Sequence, residues 1–338
     1  MKPYGVLVIG CGHIGCEHMA DIYFREDIRL LAVADSREEL AQQAARRYGA
    51  PAWGTDYHAF LDDGRIDIVI IATYTSSHLP ILKDCLAAGK HVLCEKPIAA
   101  TWEDGRAFYE CVKQTDRKVL VAHVLRHNRS YIKVRELIRG GAIGDLRLAR
   151  MVQNHHAMDW ARYKRLLEDT SPLVDCGVHY IDVLQWFTGS PIVEVGGMGT
   201  AVDPGGGHPN YGLMTFRLQN GCIGYYEAGW SRCMASQNLK EFIGDKGRIT
   251  LELKENRAAN REEGDLITVY SRETGDYRTI NLPSTYKDMY GQLRALIGSI
   301  ETDAPLSPTI DEAYSAFRVA MTADQAIREN TILHVENA

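Results

Sequence analysis

A chain of 338 residues exceeds what one ordinary hydrophobic core organises, so two domains are expected. Its composition, 45% hydrophobic and 24% charged, is that of a globular protein, and 38 basic against 44 acidic side chains leave a net charge of −6. That balance, without any Lys/Arg block, excludes the electrostatic footprint of a nucleic-acid binder, and no apolar run approaches the roughly 20 residues of a membrane span. The eight cysteines form no C-x-x-C pair and several lie inside apolar runs, which suits free thiols in a reducing compartment. The sequence opens directly on a strand, with no apolar secretion segment, so a cytoplasmic protein without membrane or nucleic-acid partners is expected.

Gly5-Val6-Leu7-Val8-Ile9 is a continuous apolar run of the kind buried on both faces of a parallel sheet. Gly10-Cys11-Gly12-His13-Ile14-Gly15 follows, and residues 16–24 can form a helix. This is G-x-G-x-x-G in a strand–turn–helix setting. The first glycine permits the tight turn, the second admits a pyrophosphate close to the backbone, and the third lets helix and strand pack. Gly10, Gly12, His13, Ile14 and Gly15 are therefore candidate dinucleotide contacts. The pattern calls for an acidic residue at the end of the next strand, and residues 28–35 end on Asp35. A carboxylate there accepts hydrogen bonds from ribose hydroxyls and repels a 2′-phosphate, which favours NAD. Ser36-Arg37 is able to hold that phosphate and keeps NADP open. Ser36-x-x-Glu39 also reads as a capping box for the helix that follows.

Alternation continues with a helix over 38–48, an extended piece at 51–53 and a buried strand over 66–72. Thr73-Tyr74-Thr75-Ser76-Ser77-His78 forms a polar loop before a helix running to 88. A strand at 91–94 leads into Glu95-Lys96-Pro97, then come a helix capped by Thr101-x-x-Asp104 and a strand at 119–122. Strands alternating with helices at this spacing predict a doubly wound parallel sheet, in which ligands bind beyond the carboxyl ends of the strands. Thr73, Tyr74, Ser77 and His78 from one such end, and Glu95, Lys96 and Pro97 from another, are expected on the cofactor side. Pro97 fixes its own φ and biases Lys96 towards extended geometry, and the bond between them is one that can be cis.

Beyond Arg126-His127-Asn128 the sequence predicts a helix over 131–139 and a strand over 146–152 leading into His155-His156-Ala157-Met158-Asp159. Neighbours on a strand point to opposite faces and no second cluster has metal-site spacing. No metal is expected, and one of the pair His155 and His156 is a candidate substrate hydrogen-bonder. Read as one helix, residues 173–184 place Asp175, His179 and Asp182 at i, i+4 and i+7 on one face. A histidine between two carboxylates is a candidate general base, and the same three residues also read as a structural polar cluster at a domain boundary. From 193 onward, seven strands joined by short turns predict a largely antiparallel sheet, with Gly205-Gly206-Gly207 at a loop tip and two closing helices at 289–301 and 310–328.

Together these residues resemble the Gfo/Idh/MocA family of NAD(P)-dependent oxidoreductases. The resemblance rests on Gly10-x-Gly12-x-x-Gly15-x-x-His18, Asp35, Ala72-Thr73 with Ser77-His78, Glu95-Lys96-Pro97, Asp175-x-Gly177-x-His179-x-x-Asp182 and Gly244-x-x-Gly247. It implies an α/β protein with an N-terminal Rossmann domain over 1–124. It also implies a substrate-binding and oligomerisation domain over 125–338, built on a large, mostly antiparallel open sheet, with the last helix free to pack back on the first domain. Through that sheet the resemblance implies a homodimer or homotetramer. Lys96, Asp175 and His179 match the family's catalytic positions, and Arg126 matches a position near substrate and nicotinamide. His155 resembles a substrate contact. Tyr74 and His13 depart from the family's usual residues.

The function these features imply is hydride transfer between a ring secondary alcohol of a sugar, glycoside or cyclitol and a nicotinamide. A redox-neutral NAD-dependent glycosidase or lyase working through a transient keto-sugar is a second reading, and a non-catalytic dinucleotide-binding partner a third.

Overall fold

Strand β1 (Tyr4–Ile9) is buried from Gly5 to Ile9, as a strand covered on both faces must be. The computed structural model describes residues 3–205, 207–253, 264–284 and 287–336. Contacts divide the chain into two compact units, residues 1–124 with 288–314 and residues 125–287 with 315–338. Segment 288–314, expected in the second domain, thus packs with the first.

In the first unit β1 is followed by α1 (His13–Ile22), β2 (Ile28–Ala34), α2 (Glu38–Tyr48), β3 (Ala52–Gly54), α3 (His58–Leu61) and β4 (Ile68–Ile71). Then come α4 (His78–Ala87), β5 (His91–Cys94), α5 (Trp102–Gln114) and β6 (Val119–Val121). The strands form one parallel sheet in the order β3-β2-β1-β4-β5-β6, so the doubly wound expectation holds. Helix α2 shows why these segments are helical. It buries Ala41, Ala44, Ala45 and Tyr48 at i, i+3, i+4 and i+7, and Gly49 stops it in the left-handed region at φ 70°. The Ser36 capping box does not form. Helix α2 begins at Glu38 after Arg37 with no side-chain cap, and Asp35 Oδ1 accepts from the Arg37 N–H at 2.9 Å. Helix α5 is capped as its sequence indicates, Thr101 Oγ1 accepting from the Asp104 N–H at 3.1 Å.

The second unit contains α6 (Arg129–Arg139), β7 (Leu146–His156), α7 (Trp160–Asp169), α8 (Pro172–Asp175) and α9 (Gly177–Thr188). Seven strands follow: β8 (Ile192–Thr200), β9 (Tyr211–Leu218), β10 (Ile223–Ser231), β11 (Gln237–Gly244), β12 (Gly247–Glu252), β13 (Asp265–Ser271) and β14 (Tyr277–Leu282). Helix α10 (Met289–Thr302) belongs to the first unit, α11 (Ile310–Glu329) starts there and continues in the second, and β15 (Leu333–His334) closes the chain. The second sheet has nine strands in the order β14-β13-β12-β11-β7-β10-β9-β8-β15, antiparallel except for the parallel pair β7 and β10. Gly206 lies outside the described residues.

Two differences from the sequence expectation matter for function. Strand β7 runs four residues further than expected, to His156, and places His155 opposite Trp230 of β10. The single helix expected over 173–184 is two, α8 and α9, meeting at Cys176, with the His179 N–H bonded three residues back to the Cys176 carbonyl at 3.2 Å. All eight cysteines are free. Among the described residues no helix is long and apolar enough to cross a membrane, and no group of three or more His, Cys, Asp or Glu side chains is arranged to hold a metal ion.

Candidate active site

At the carboxyl end of β1, Gly10 has φ +97°, and a Cβ there would lie 2.3 Å from the Ala72 carbonyl oxygen. Only glycine lets the loop after β1 run against the loop after β4. A Cβ on Gly12 would meet nothing within 4 Å, so the N-terminus of α1, which has no side-chain cap, is left for a ligand. A Cβ on Gly15 would strike the Gly10 carbonyl at 1.8 Å. Gly10 and Gly15 thus have no room for a Cβ, and the cradle fits the pyrophosphate of a dinucleotide.

Asp35, buried at the end of β2, ties this cradle together. Its Oδ2 accepts from the Cys11 N–H at 2.8 Å, and its Oδ1 from the Arg37 N–H at 2.9 Å and Nε at 3.1 Å. Arg37 is thus turned onto the carboxylate, and Ser36 is exposed. Burial, with Asp35 beside it, pushes the Cys11 thiol up to about 12, so Cys11 is an inert part of the loop. His13 is exposed and pairs with Glu17 at 3.1 Å. In the loop after β4, the Ser77 hydroxyl bonds Thr73 Oγ1 at 2.8 Å and the Tyr74 carbonyl at 2.7 Å, while the Tyr74 ring stays exposed.

Lys96 is half-buried between buried Glu95 and buried Pro97, across a cis Lys96–Pro97 bond. His18 of α1 donates Nε2–H to Glu95 Oε1 at 2.8 Å, and Glu95 Oε2 faces the Lys96 N–H at 3.4 Å. His78 of α4 donates Nδ1–H to the Pro97 carbonyl at 2.9 Å, with Nε2 facing the Thr73 carbonyl at 3.3 Å. His78 is fully buried, and desolvation pulls its imidazole below the ordinary range. Glu95, Pro97 and His78, expected beside the cofactor, are packed inside the unit, and Lys96 is the member of the group that reaches the surface.

In the second unit the parallel pair β7 and β10 turns His155, Gln153, Tyr226 and Trp230 to the same face, since residues in register on parallel strands share a side. Helix α9 lies on that face. A Cβ on Gly177 would sit 3.1 Å from the Tyr226 ring, and Tyr180 stacks on Tyr226 at 4.8 Å between centroids. This explains the glycine in Asp175-x-Gly177-x-His179: it lets the turn carrying both polar residues rest on an aromatic ring. Asp175 and His179 are half-buried, while Val174, Cys176, Val178 and Tyr180 are buried.

Tyr163 on α7 was not apparent from sequence. Its hydroxyl is 3.3 Å from His155 Nδ1, its ring is 5.4 Å from Trp230, and burial raises its phenol, with Asp175 adding to the rise. The apolar spacing Trp160, Tyr163, Leu166, Leu167, following Asp159, whose side chain caps Arg162 N–H at 3.2 Å, was the available signal. Lys240 is buried with its ammonium 5.2 Å from the centre of the Tyr180 ring. Arg126 and Asp182 are both buried and form a bidentate pair, Nε to Oδ2 and Nη2 to Oδ1, each at 2.8 Å. Asp182 is therefore engaged by Arg126.

Residues 4–123 match the family described as an oxidoreductase family with an NAD-binding Rossmann fold, and residues 131–250 match the GFO/IDH/MocA C-terminal domain. The chain is 23% identical to a myo-inositol 2-dehydrogenase of Thermotoga maritima over 334 residues, covering 97% of this chain and 98% of that one. It is 27% identical to a D-glucoside 3-dehydrogenase of Escherichia coli K12, covering 81% and 84%. Its fold matches the structure of a scyllo-inositol dehydrogenase from Lactobacillus casei, bound to NAD(H) and scyllo-inositol, with TM-score 0.79, 23% identity and 99% of each chain covered.

Proposed function

Since this chain belongs to the Gfo/Idh/MocA oxidoreductase family, we propose that it oxidises a secondary alcohol on a cyclitol or sugar ring with NAD in preference to NADP. It is a dehydrogenase acting on CH–OH groups, and its first unit is an NAD-binding Rossmann domain. The observation that carries the finer reading is a shared pattern of exposure. Lys96, Asp175 and His179 are each half-buried within otherwise buried runs, as reactive groups presented by a rigid scaffold are.

NAD, when bound, supplies a hydride acceptor. The residues that would hold it are the Gly10–Gly15 turn, Asp35 and the Thr73–Ser77 turn. Asp35 already accepts two backbone N–H groups and keeps a carboxylate where a 2′-phosphate would meet repulsion, which supports NAD. His179 takes the proton of the alcohol. Asp175, one turn earlier, orients the imidazole and stabilises its cationic form. Lys96 places positive charge beside the developing alkoxide, a contribution typically worth a few kcal/mol. His155 and Tyr163 supply donors and acceptors for the remaining ring hydroxyls. We also propose a homodimer or homotetramer through the second sheet, because β10 turns Ile223, 44% exposed, to the face opposite helix-packed Tyr226.

The test is a scan of myo-inositol, scyllo-inositol, methyl glucosides and levoglucosan with NAD and with NADP, following reduced cofactor. Reduction with at least one ring alcohol, faster with NAD, is the expected result. Cleavage of a glucoside without net NADH, or no reduction with any ring alcohol, overturns it. In the same assay Lys96→Met should lower turnover by about two orders of magnitude or more while NADH still binds. Turnover near wild type removes Lys96 from the mechanism.

A further inference from the structure

Two buried histidines in the first unit both close on Glu95-Lys96-Pro97. His18 lies on the helix that follows the glycine-rich turn and His78 on the helix that follows the Thr73–Ser77 turn. Each is 1% exposed. Burying an imidazole against a carboxylate is a poor way to gain stability, because desolvation consumes most of the attraction. Such pairs repay their cost when they hold a geometry. Here Glu95 bonds His18 through Oε1 at 2.8 Å, and its Oε2 faces the backbone N–H of Lys96 at 3.4 Å. On the far side of Lys96, the carbonyl of Pro97 receives the His78 Nδ1–H at 2.9 Å.

We propose that His18, acting through Glu95, and His78, acting through the Pro97 carbonyl, are positioning residues that together fix the direction of the Lys96 side chain. Because the two imidazoles come from helices that start at the cofactor-side turns, Lys96 is set in the same frame as the cradle. A misplacement of about 1 Å in a reacting group is enough to cost on the order of a hundredfold in rate. A hydrogen bond on each flank of one peptide is an economical means of preventing it. This assignment rests on the reading of Lys96 as the cation of the reaction.

The test uses the full chain with myo-inositol or methyl glucoside as probe, whichever is turned over, and separates the two claims. Lys96→Met is measured first, and if it keeps wild-type turnover the reading of Lys96 fails irrespective of the histidines. With Lys96→Met inactive, His18→Leu removes the donor at similar volume, and His18→Gln restores an N–H at the Nε2 position. The expected result is kcat about ten- to a hundredfold lower in His18→Leu, with KM and the NADH Kd within about threefold of wild type and most of the loss recovered in His18→Gln. Unchanged kcat in His18→Leu overturns the proposal. So does a Gln variant as poor as the Leu variant, or a loss of NADH affinity parallel to the loss of kcat. If His18→Leu fails to fold, His78→Leu against His78→Asn, which keeps a donor at the Nδ1 position, decides by the same criteria.

Discussion

Arg126 and Asp182 form a closed bidentate pair, with two 2.8 Å bonds between side chains that are 3% and 1% exposed. Such a pair adds little net stability compared with an apolar pair, but breaking it leaves one charge buried and alone. Asp182→Ala should therefore destabilise the protein by about 3–5 kcal/mol, and the double change Arg126→Leu with Asp182→Leu by clearly less. Denaturant midpoints of the two variants check this. Equal losses would show that the pair matters for packing alone.

Gly177 is the point where the turn bearing Asp175 and His179 meets Tyr226. A methyl group at 3.1 Å from the ring must displace either the ring or the helix, and overpacking of this kind costs about 1–3 kcal/mol. Gly177→Ala should lower kcat more than it raises KM, because it moves the base and leaves the dinucleotide cradle intact. Trimming the ring as well, with Tyr226→Leu, should restore part of the loss. Steady-state kinetics of the single and double variants test this.

Asp35 discriminates by charge and by the hydrogen bonds its carboxylate makes. Hydrogen bonds to a charged group are worth about 1.5–3 kcal/mol, or roughly ten- to a hundredfold in an equilibrium. Asp35→Asn should reduce the preference for NAD over NADP by about that factor, with Arg37 released from its partner to meet a 2′-phosphate. Measured kcat/KM ratios for the two cofactors give the answer, and an unchanged ratio would place the selectivity elsewhere.

The acid limb of stability should carry the mark of His78. Burial holds its folded-state imidazole below the ordinary value of 6.5. Above that pH the residue is neutral whether the chain is folded or unfolded. As the pH falls through about 6.5 the unfolded chain takes up the proton first, and stability is lost until the folded imidazole titrates too. Between pH 7.5 and 5.5 the midpoint of thermal unfolding should fall less steeply in His78→Asn than in wild type. His91, lowered in the same sense by burial, and His58, raised by its hydrogen bond with Asp56, remain in both proteins and contribute equally to both curves. Parallel curves would contradict the assignment.

What could be read from sequence was what local chemistry enforces. Gly10, Gly12, Gly15 and Asp35 announce themselves because the turn, the close approach and the strand end are satisfied within one β-α-β unit. Glu95-Lys96-Pro97 was legible as a stiff strand end. The Arg126–Asp182 pair was not, because its members are 56 residues apart and a guanidinium before a helix looks the same whether it meets a substrate or a buried carboxylate. His18 was visible as part of a pattern, and its bond to Glu95 across 77 residues was not. Helix α7 was hidden by Arg162, Lys164 and Arg165 between its apolar positions. The interruption at Cys176 was concealed because Asp175 to Leu184 carries a regular helical period through it. The two missed pairs share a cause: the deciding partner lies on another element, where no window of sequence includes it.

The membership of α10 bears on how the chain is made. Leu293, Leu296 and Ile297 complete a core otherwise built from residues before position 124. A ribosome delivers the whole parallel sheet and then must add more than 160 further residues, 125–287, before that core can close. At about 5–20 residues per second the wait is of the order of ten seconds or more. For that interval the nascent first unit carries an uncovered apolar face, so the period of greatest exposure to chaperones and to misassociation falls in the middle of synthesis.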